Sequence, residues 1–298
     1  MVSALTVLVL LALGFLLARL PSFPRDASGA LTAFVIHVSL PALILARLPA
    51  LHFDTEVLLP ILLPWLLLVL SAAAVLALGK LWRWPAPTLG ALLLCVPLGN
   101  TSFLGLPLID WLIGPEGVPY ALLYDQLGSF LALSTYGAFV LAWYGGAARP
   151  TPLVVLRRLV TFPPFLALLA ALFLLPFGLP PPAVAGLETI AASVVPTVMV
   201  AVGLQLSPRL APGQTWPLLV GLSLKMVVAP ALALALFHCF ELTGLAARVS
   251  VLEAGMPPMI TAGALALQAG FAPRLVAALL GLGIVLALAT VPFFSTLL

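Results

Sequence analysis

Apolar runs of bilayer-spanning length follow one another along the chain, separated by short breaks rich in Pro, Gly and charge. Cutting at those breaks predicts ten helical spans, at roughly 3–19, 28–48, 56–79, 87–113, 119–143, 153–175, 184–206, 215–240, 245–269 and 273–297. No window sustains the alternation of a strand, and an open sheet could not satisfy its edges in lipid. The predicted class is therefore an all-α membrane protein. The first run starts at Met1 with no Lys or Arg before it and no small-residue cleavage pattern, so it reads as a membrane helix rather than a removable signal.

Composition supports this reading. With 63% hydrophobic and 7% charged residues and a mean hydropathy of +1.27, the chain has too little polar surface to cover a water-soluble globule. The net charge of +3 forms no basic stripe, which excludes nucleic acid as a partner. The placement of charge is more informative than its sum. In the ten-helix arrangement Arg19, Arg25, Lys80, Arg83, Arg149, Arg157, Arg158, Arg209 and Arg274 fall on one side, and only Arg47 and Arg248 on the other. The richer side is expected to be the cytoplasm, which places both termini outside a cell (inner or plasma) membrane. Cys95 and Cys239 lie in apolar runs without CxxC spacing and are expected as buried free thiols.

The polar stretch Tyr144 to Pro152 leaves five spans on either side, dividing the chain into 1–148 and 149–298. Five is odd, so related halves would be inverted in the membrane. VSLPALILARL around Pro41 in the second span is weakly matched by SVVPTVMVAVGL around Pro196 in the seventh. The fourth and ninth spans are both interrupted midway, by GNTSFLGLP and by GMPPM. Pro107, Pro257 and Pro258 cannot donate backbone hydrogen bonds, and Gly99 and Gly105 weaken the helix around Asn100. Half-helices starting there aim free N–H groups and a positive dipole end at the midplane, which suits a carboxylate. Asn100, Thr101 and Ser102 add side-chain hydrogen bonding. The expected substrate site is thus Gly99, Asn100, Thr101, Ser102, Gly105, Pro107, Met256, Pro257 and Pro258.

GNTSFLGLPL, ASVVPTVMVAVGLQL, LKMVVAP and EAGMPPM, in this order along nearly the whole chain, resemble the auxin efflux carrier family of transporters, which includes bacterial malonate and malate permeases. The resemblance implies that the broken fourth and ninth helices of a five-plus-five inverted repeat cross near the membrane centre. It also implies a scaffold of helices one, two, six and seven, a mobile unit of helices three to five and eight to ten, elevator-type alternating access and a homodimer. The long cytoplasmic loop of many plant members is absent, which favours a compact prokaryotic-type carrier.

Charged residues inside spans are costly and are functional candidates by default. Lys225 sits near the middle of the eighth span, Glu253 one turn before Pro257, and Asp125 about seven residues into the fifth. Either carboxylate could neutralise Lys225, and a proton arriving on it would release the lysine, a coupling step. The Glu253 position more distantly resembles the sodium:bile-acid symporters, but Pro257 and Pro258 replace that group's amide side chains. A proton is therefore favoured over sodium as coupling ion, and no cofactor is expected. His37 is expected to bond a backbone carbonyl, while Asp54, Glu56, Asp110, Glu116 and Glu188 near span ends read as headgroup-solvated. No paired catalytic aspartates, HExxH, Gly-x-Ser-x-Gly or Cys–His pairing suggests an enzyme. The expectation is a secondary transporter of a small organic anion. An exporter of a non-carboxylate metabolite or drug on the same fold, or a sodium-coupled symporter, stands as the alternative.

Overall fold

The computed structural model describes residues 4–24, 26–51, 55–146, 151–206 and 213–298. Arg25, Asp54, Arg149 and Arg209 lie outside the described residues. In chain order the helices are α1 (Ala4–Leu17), α2 (Ala27–Arg47), α3 (Thr55–Leu81), α4 (Ala86–Cys95), α5 (Thr101–Leu112), α6 (Val118–Gly145) and α7 (Pro152–Thr161). They continue as α8 (Pro163–Leu174), α9 (Pro181–Gln205), α10 (Thr215–Cys239), α11 (Leu245–Ala254), α12 (Ile260–Gln268) and α13 (Pro273–Ser295). Among the described residues there is no strand, only one isolated bridge between Gly99 and Pro258.

Six of these helices, α2, α3, α6, α9, α10 and α13, are long and apolar enough to cross a membrane. They coincide with the second, third, fifth, seventh, eighth and tenth predicted spans. A helix satisfies its backbone internally, so it can stand in lipid, and Leu62 of α3 and Phe293 of α13 turn outward there at 60% and 59% exposure. The fourth and ninth predicted spans are broken as expected, into α4 with α5 and α11 with α12. The first span is shorter, at 14 described residues.

The sixth span departs from expectation. Instead of one run over 153–175, α7 and α8 meet at a 75° bend. Pro163 and Pro164 lack N–H groups, and Phe162 before them is extended at φ −90° and ψ 111°, which ends α7. The Phe162 ring stacks on Phe130 of α6, with centroids 4.0 Å apart, and this contact anchors the corner. α7 itself is largely exposed, with Leu153, Leu156, Arg157 and Arg158 all outward.

Two sets of contacts organise the bundle. α1 packs along the second half of α9, and α2 packs against both α8 and α9. Separately, α3 packs on α6 and α11, α4 packs on α6, α12 and α13, and α10 packs on α11 and α13. Lipid removes the hydrophobic drive between helices, so close approach at small residues has to supply the attraction. At the α1–α9 contact Gly14 and Gly203 face each other so closely that a Cβ on Gly14 would lie 2.3 Å from the Val200 carbonyl oxygen. A Cβ on Gly203 would lie 2.3 Å from that of Leu11.

Candidate functional site

The two chain breaks are built alike and solve the same problem together. α4 ends at Cys95, followed by Pro97 and Gly99; α11 ends at Ala254, followed by Gly255, Pro257 and Pro258. Each break strands backbone groups deep in the bundle, where an unpaired group is expensive. The two strands run antiparallel past each other and pair: Asn100 N–H donates to the Pro257 carbonyl at 2.7 Å, and Met259 N–H donates to the Leu98 carbonyl at 2.9 Å. Prolines at 257 and 258 have no N–H, so this segment serves the crossing through a carbonyl and through Met259. Asn100, Thr101, Met256 and Gly105 are all buried at or beside the crossing. Pro258 lies against Gly283 of α13, and Pro107 is buried near the middle of α5.

Around the crossing sit three buried ionisable side chains. Asp125 of α6 accepts from Thr101 Oγ1 and Ser102 Oγ, both at 2.5 Å on Oδ1, and from Gln126 Nε2 at 2.6 Å on Oδ2. Lys225 of α10 donates from Nζ to the Ala254 carbonyl at 3.2 Å. That carbonyl belongs to the last turn of α11, where carbonyls lack helical partners and the dipole is negative, so an ammonium is well placed. Glu253 is fully buried, and neither of its oxygens has a hydrogen-bond partner among the described residues. Its carboxylate lies over Gly105, where a Cβ would stand 2.5 and 2.6 Å from the two oxygens. Glycine at 105 is therefore what leaves room for it. The expected pairing of Lys225 with a carboxylate is not made: among the described residues no ion pair joins it to Asp125 or Glu253. The reason is geometric, since Lys225 is engaged by the end of α11 and Glu253 is drawn over α5.

Thr101, Asp125 and Lys225 share a local feature. Each lies in a widened π-helical turn, at Thr101–Gly105, Tyr124–Phe130 and Leu224–Val228, the kind of irregularity that recurs at functional sites. Thr101 and Ser102 are thus already committed to Asp125, whereas Asn100 Nδ2 and Gln126 Oε1 are buried without a partner among the described residues. Beside Gly99, Ser129 and Lys225 there is a cavity of about 10 Å³, room for roughly one water. Among the described residues no group of three or more His, Cys, Asp or Glu side chains could hold a metal ion.

His37 Nδ1 meets the Ala33 carbonyl at 2.9 Å, as expected. Both cysteines are free, but Cys239, at the end of α10, is exposed and only Cys95 is buried. Glu188 is expected at a solvated span end and Arg47 on the charge-poor side, yet the fold joins them, Nη2 to Oε2 at 2.9 Å. They line a cavity of about 440 Å³ between α1, α2 and α9 on one side and α5 with the start of α6 on the other. Its wall includes Leu106, next in the chain to Gly105, and it also reaches Asp110 and Pro196. The available signal was the position of Glu188, two turns inside α9 rather than at its end.

The model of a family described as membrane transport protein matches residues 1–295. An uncharacterized transporter of Methanothermobacter thermautotrophicus is 28% identical over 99% of this chain and 97% of its own length. An uncharacterized transporter of Methanocaldococcus jannaschii is 27% identical over 85% of this chain and 84% of its own.

Proposed function

The chain belongs to the membrane transport protein family, and from that premise we propose that it is a secondary transporter of a small organic anion, bound where the broken helices cross. The observation that carries this reading is the crossing itself. It concentrates an amide donor without a partner among the described residues, Asn100 Nδ2, and the ammonium of Lys225 beside Gly99. Buried donors without acceptors are costly unless a ligand supplies the acceptor, and a carboxylate does so. The start of α12 adds backbone N–H groups at the same level and has no acidic residue in its first turn. The start of α5, by contrast, is already faced by Asp125 and Glu253.

We place ten spans in two inverted halves, 1–148 and 149–298, in the inner or plasma membrane with both termini outside. The contact pattern supports a stationary group of α1, α2, α8 and α9, carrying the amphipathic α7 at its edge, and a moving group of α3–α6 and α10–α13 that holds the whole crossing. The 440 Å³ cavity lies between these groups, which suits elevator-type alternating access, and a second copy of the chain would pair through the stationary group. Charge counting favours a proton as coupling ion. With Asp125 and Glu253 ionised and Lys225 charged the cluster carries a net negative charge, which repels an anion. A proton on Glu253 makes it neutral.

The test is uptake of labelled mono- and dicarboxylates into liposomes carrying the purified protein, with and without a pH gradient, for the native chain and Asn100→Ala. Saturable uptake that falls at least tenfold in the variant is the expected outcome. If no carboxylate moves under either condition, the anion reading fails.

A further inference from the structure

We propose that Arg47 is the entry subsite for the substrate's carboxylate in the cavity between the two helix groups, and that Glu188 competes with the substrate for its guanidinium. This rests on the anion reading above and adds to the crossing a second anion-binding position at the mouth of the path.

Three observations carry it. First, Arg47 uses one nitrogen on one carboxylate oxygen, Nη2 to Glu188 Oε2 at 2.9 Å. A guanidinium has five N–H donors in a fork that fits a carboxylate bidentately, so most of its capacity remains open. Second, the pair is not buried: the two side chains keep 34% and 36% of their surface exposed, and both line the 440 Å³ cavity. An ion pair that wet holds helices together weakly, and α2 and α9 already pack along their length without it. Third, the position is on the route. The same cavity is lined by Leu106, one residue beyond Gly105 and the carboxylate of Glu253, while Arg47 and Glu188 both belong to helices proposed to stay still. A charge fixed on the stationary wall can receive an anion before the crossing takes it.

Asp110 lines the same cavity from α5, so Arg47 is its one cation beside two carboxylates among the described lining residues. An incoming anion gains from the guanidinium and loses to Glu188. The two partners of the ion pair should therefore have opposite effects on substrate capture. A helix clamp makes the contrary forecast, because removing either partner breaks the same bond.

The experiment measures initial uptake rates in liposomes with the best-transported carboxylate found for the native chain, comparing Arg47→Gln, Glu188→Gln, the double variant and Arg47→Lys. The expected result is a KM about tenfold higher in Arg47→Gln and roughly threefold lower in Glu188→Gln, with maximal rates within twofold of native. The double variant should follow Arg47→Gln, and Arg47→Lys should fall between native and Arg47→Gln because it keeps the charge and loses the fork. Raising the salt concentration should increase the native KM more than that of Arg47→Gln. KM changes of the same sign in the two single variants, or no change in either, would overturn the proposal. Native uptake separates the two levels: if the native chain moves a carboxylate and Arg47→Gln leaves KM alone, the entry subsite fails while the anion carrier stands.

Discussion

The Gly14–Gly203 contact offers a quantitative test of how the proposed stationary group is held together. A Cβ on either glycine would meet a backbone carbonyl oxygen of the facing helix at 2.3 Å and a glycine Cα at 3.0 Å. Ordinary contact needs about 3.5 Å, so α1 and α9 must separate by about 1 Å, and backbone atoms cannot rotate out of the way as a side chain tip can. A gap of this size forfeits about a quarter to a half of the dispersion well for each atom pair across it. Overpacking of this kind costs about 1–3 kcal/mol, against a gain of about 1 kcal/mol when alanine replaces glycine in a helix. With backbone on both sides the cost falls in the upper part of that range, about 2–3 kcal/mol, so Gly14→Ala and Gly203→Ala should each lose about 1–2 kcal/mol. One separation relieves both clashes while each alanine adds its own helix propensity, so the double variant should lose no more than either single variant, falling short of the sum by about 1 kcal/mol or more. Equilibrium unfolding in mixed micelles titrated with a denaturing detergent measures all four proteins. Full additivity, or single variants as stable as the native chain, would refute the shared-spacing explanation.

Two further predictions address the buried cluster. Glu253→Gln should abolish acceleration of uptake by a pH gradient while leaving substrate exchange between preloaded liposomes and medium intact; acceleration that persists in the variant would remove Glu253 from coupling. Gly105→Ala should displace the Glu253 carboxylate, which lies 2.5 Å from the new Cβ. The side chain can turn aside at a cost of about 0.5–1.5 kcal/mol, nearly offset by helix propensity. Stability should therefore stay within about 1 kcal/mol of native while the response to a pH gradient falls severalfold, and an unchanged response would show that the position of Glu253 over α5 is immaterial.

Much of the architecture is legible in the sequence because lipid imposes so few options. A chain that is 63% hydrophobic must satisfy its backbone within helices, and Pro and Gly mark where it does not. That is why the breaks around Asn100 and Pro257 could be read directly, and why the ordered motifs point to the family whose model matches residues 1–295. His37, whose one local acceptor is a turn away, was readable for the same reason. The bend at Phe162 was also written in the chain, as the following Pro163–Pro164, but the apolar residues that flank it on either side, broken only by Arg157, Arg158 and Thr161, concealed it.

Partnerships between distant segments were decided only by tertiary structure. Spacing along a helix places Asp125, Lys225 and Glu253 at similar depth, but it does not say which donor reaches which acceptor. In the folded chain Asp125 takes the hydroxyls of Thr101 and Ser102, Lys225 takes the Ala254 carbonyl, and Glu253 lies over Gly105 with neither oxygen bonded among the described residues. Arg47 and Glu188, 141 residues apart, become a pair only once α2 lies against α9. Local hydrogen bonding and the lipid solvent act on neighbouring residues and so can be read from sequence, whereas the contacts that make a site depend on how helices from opposite ends of the chain cross.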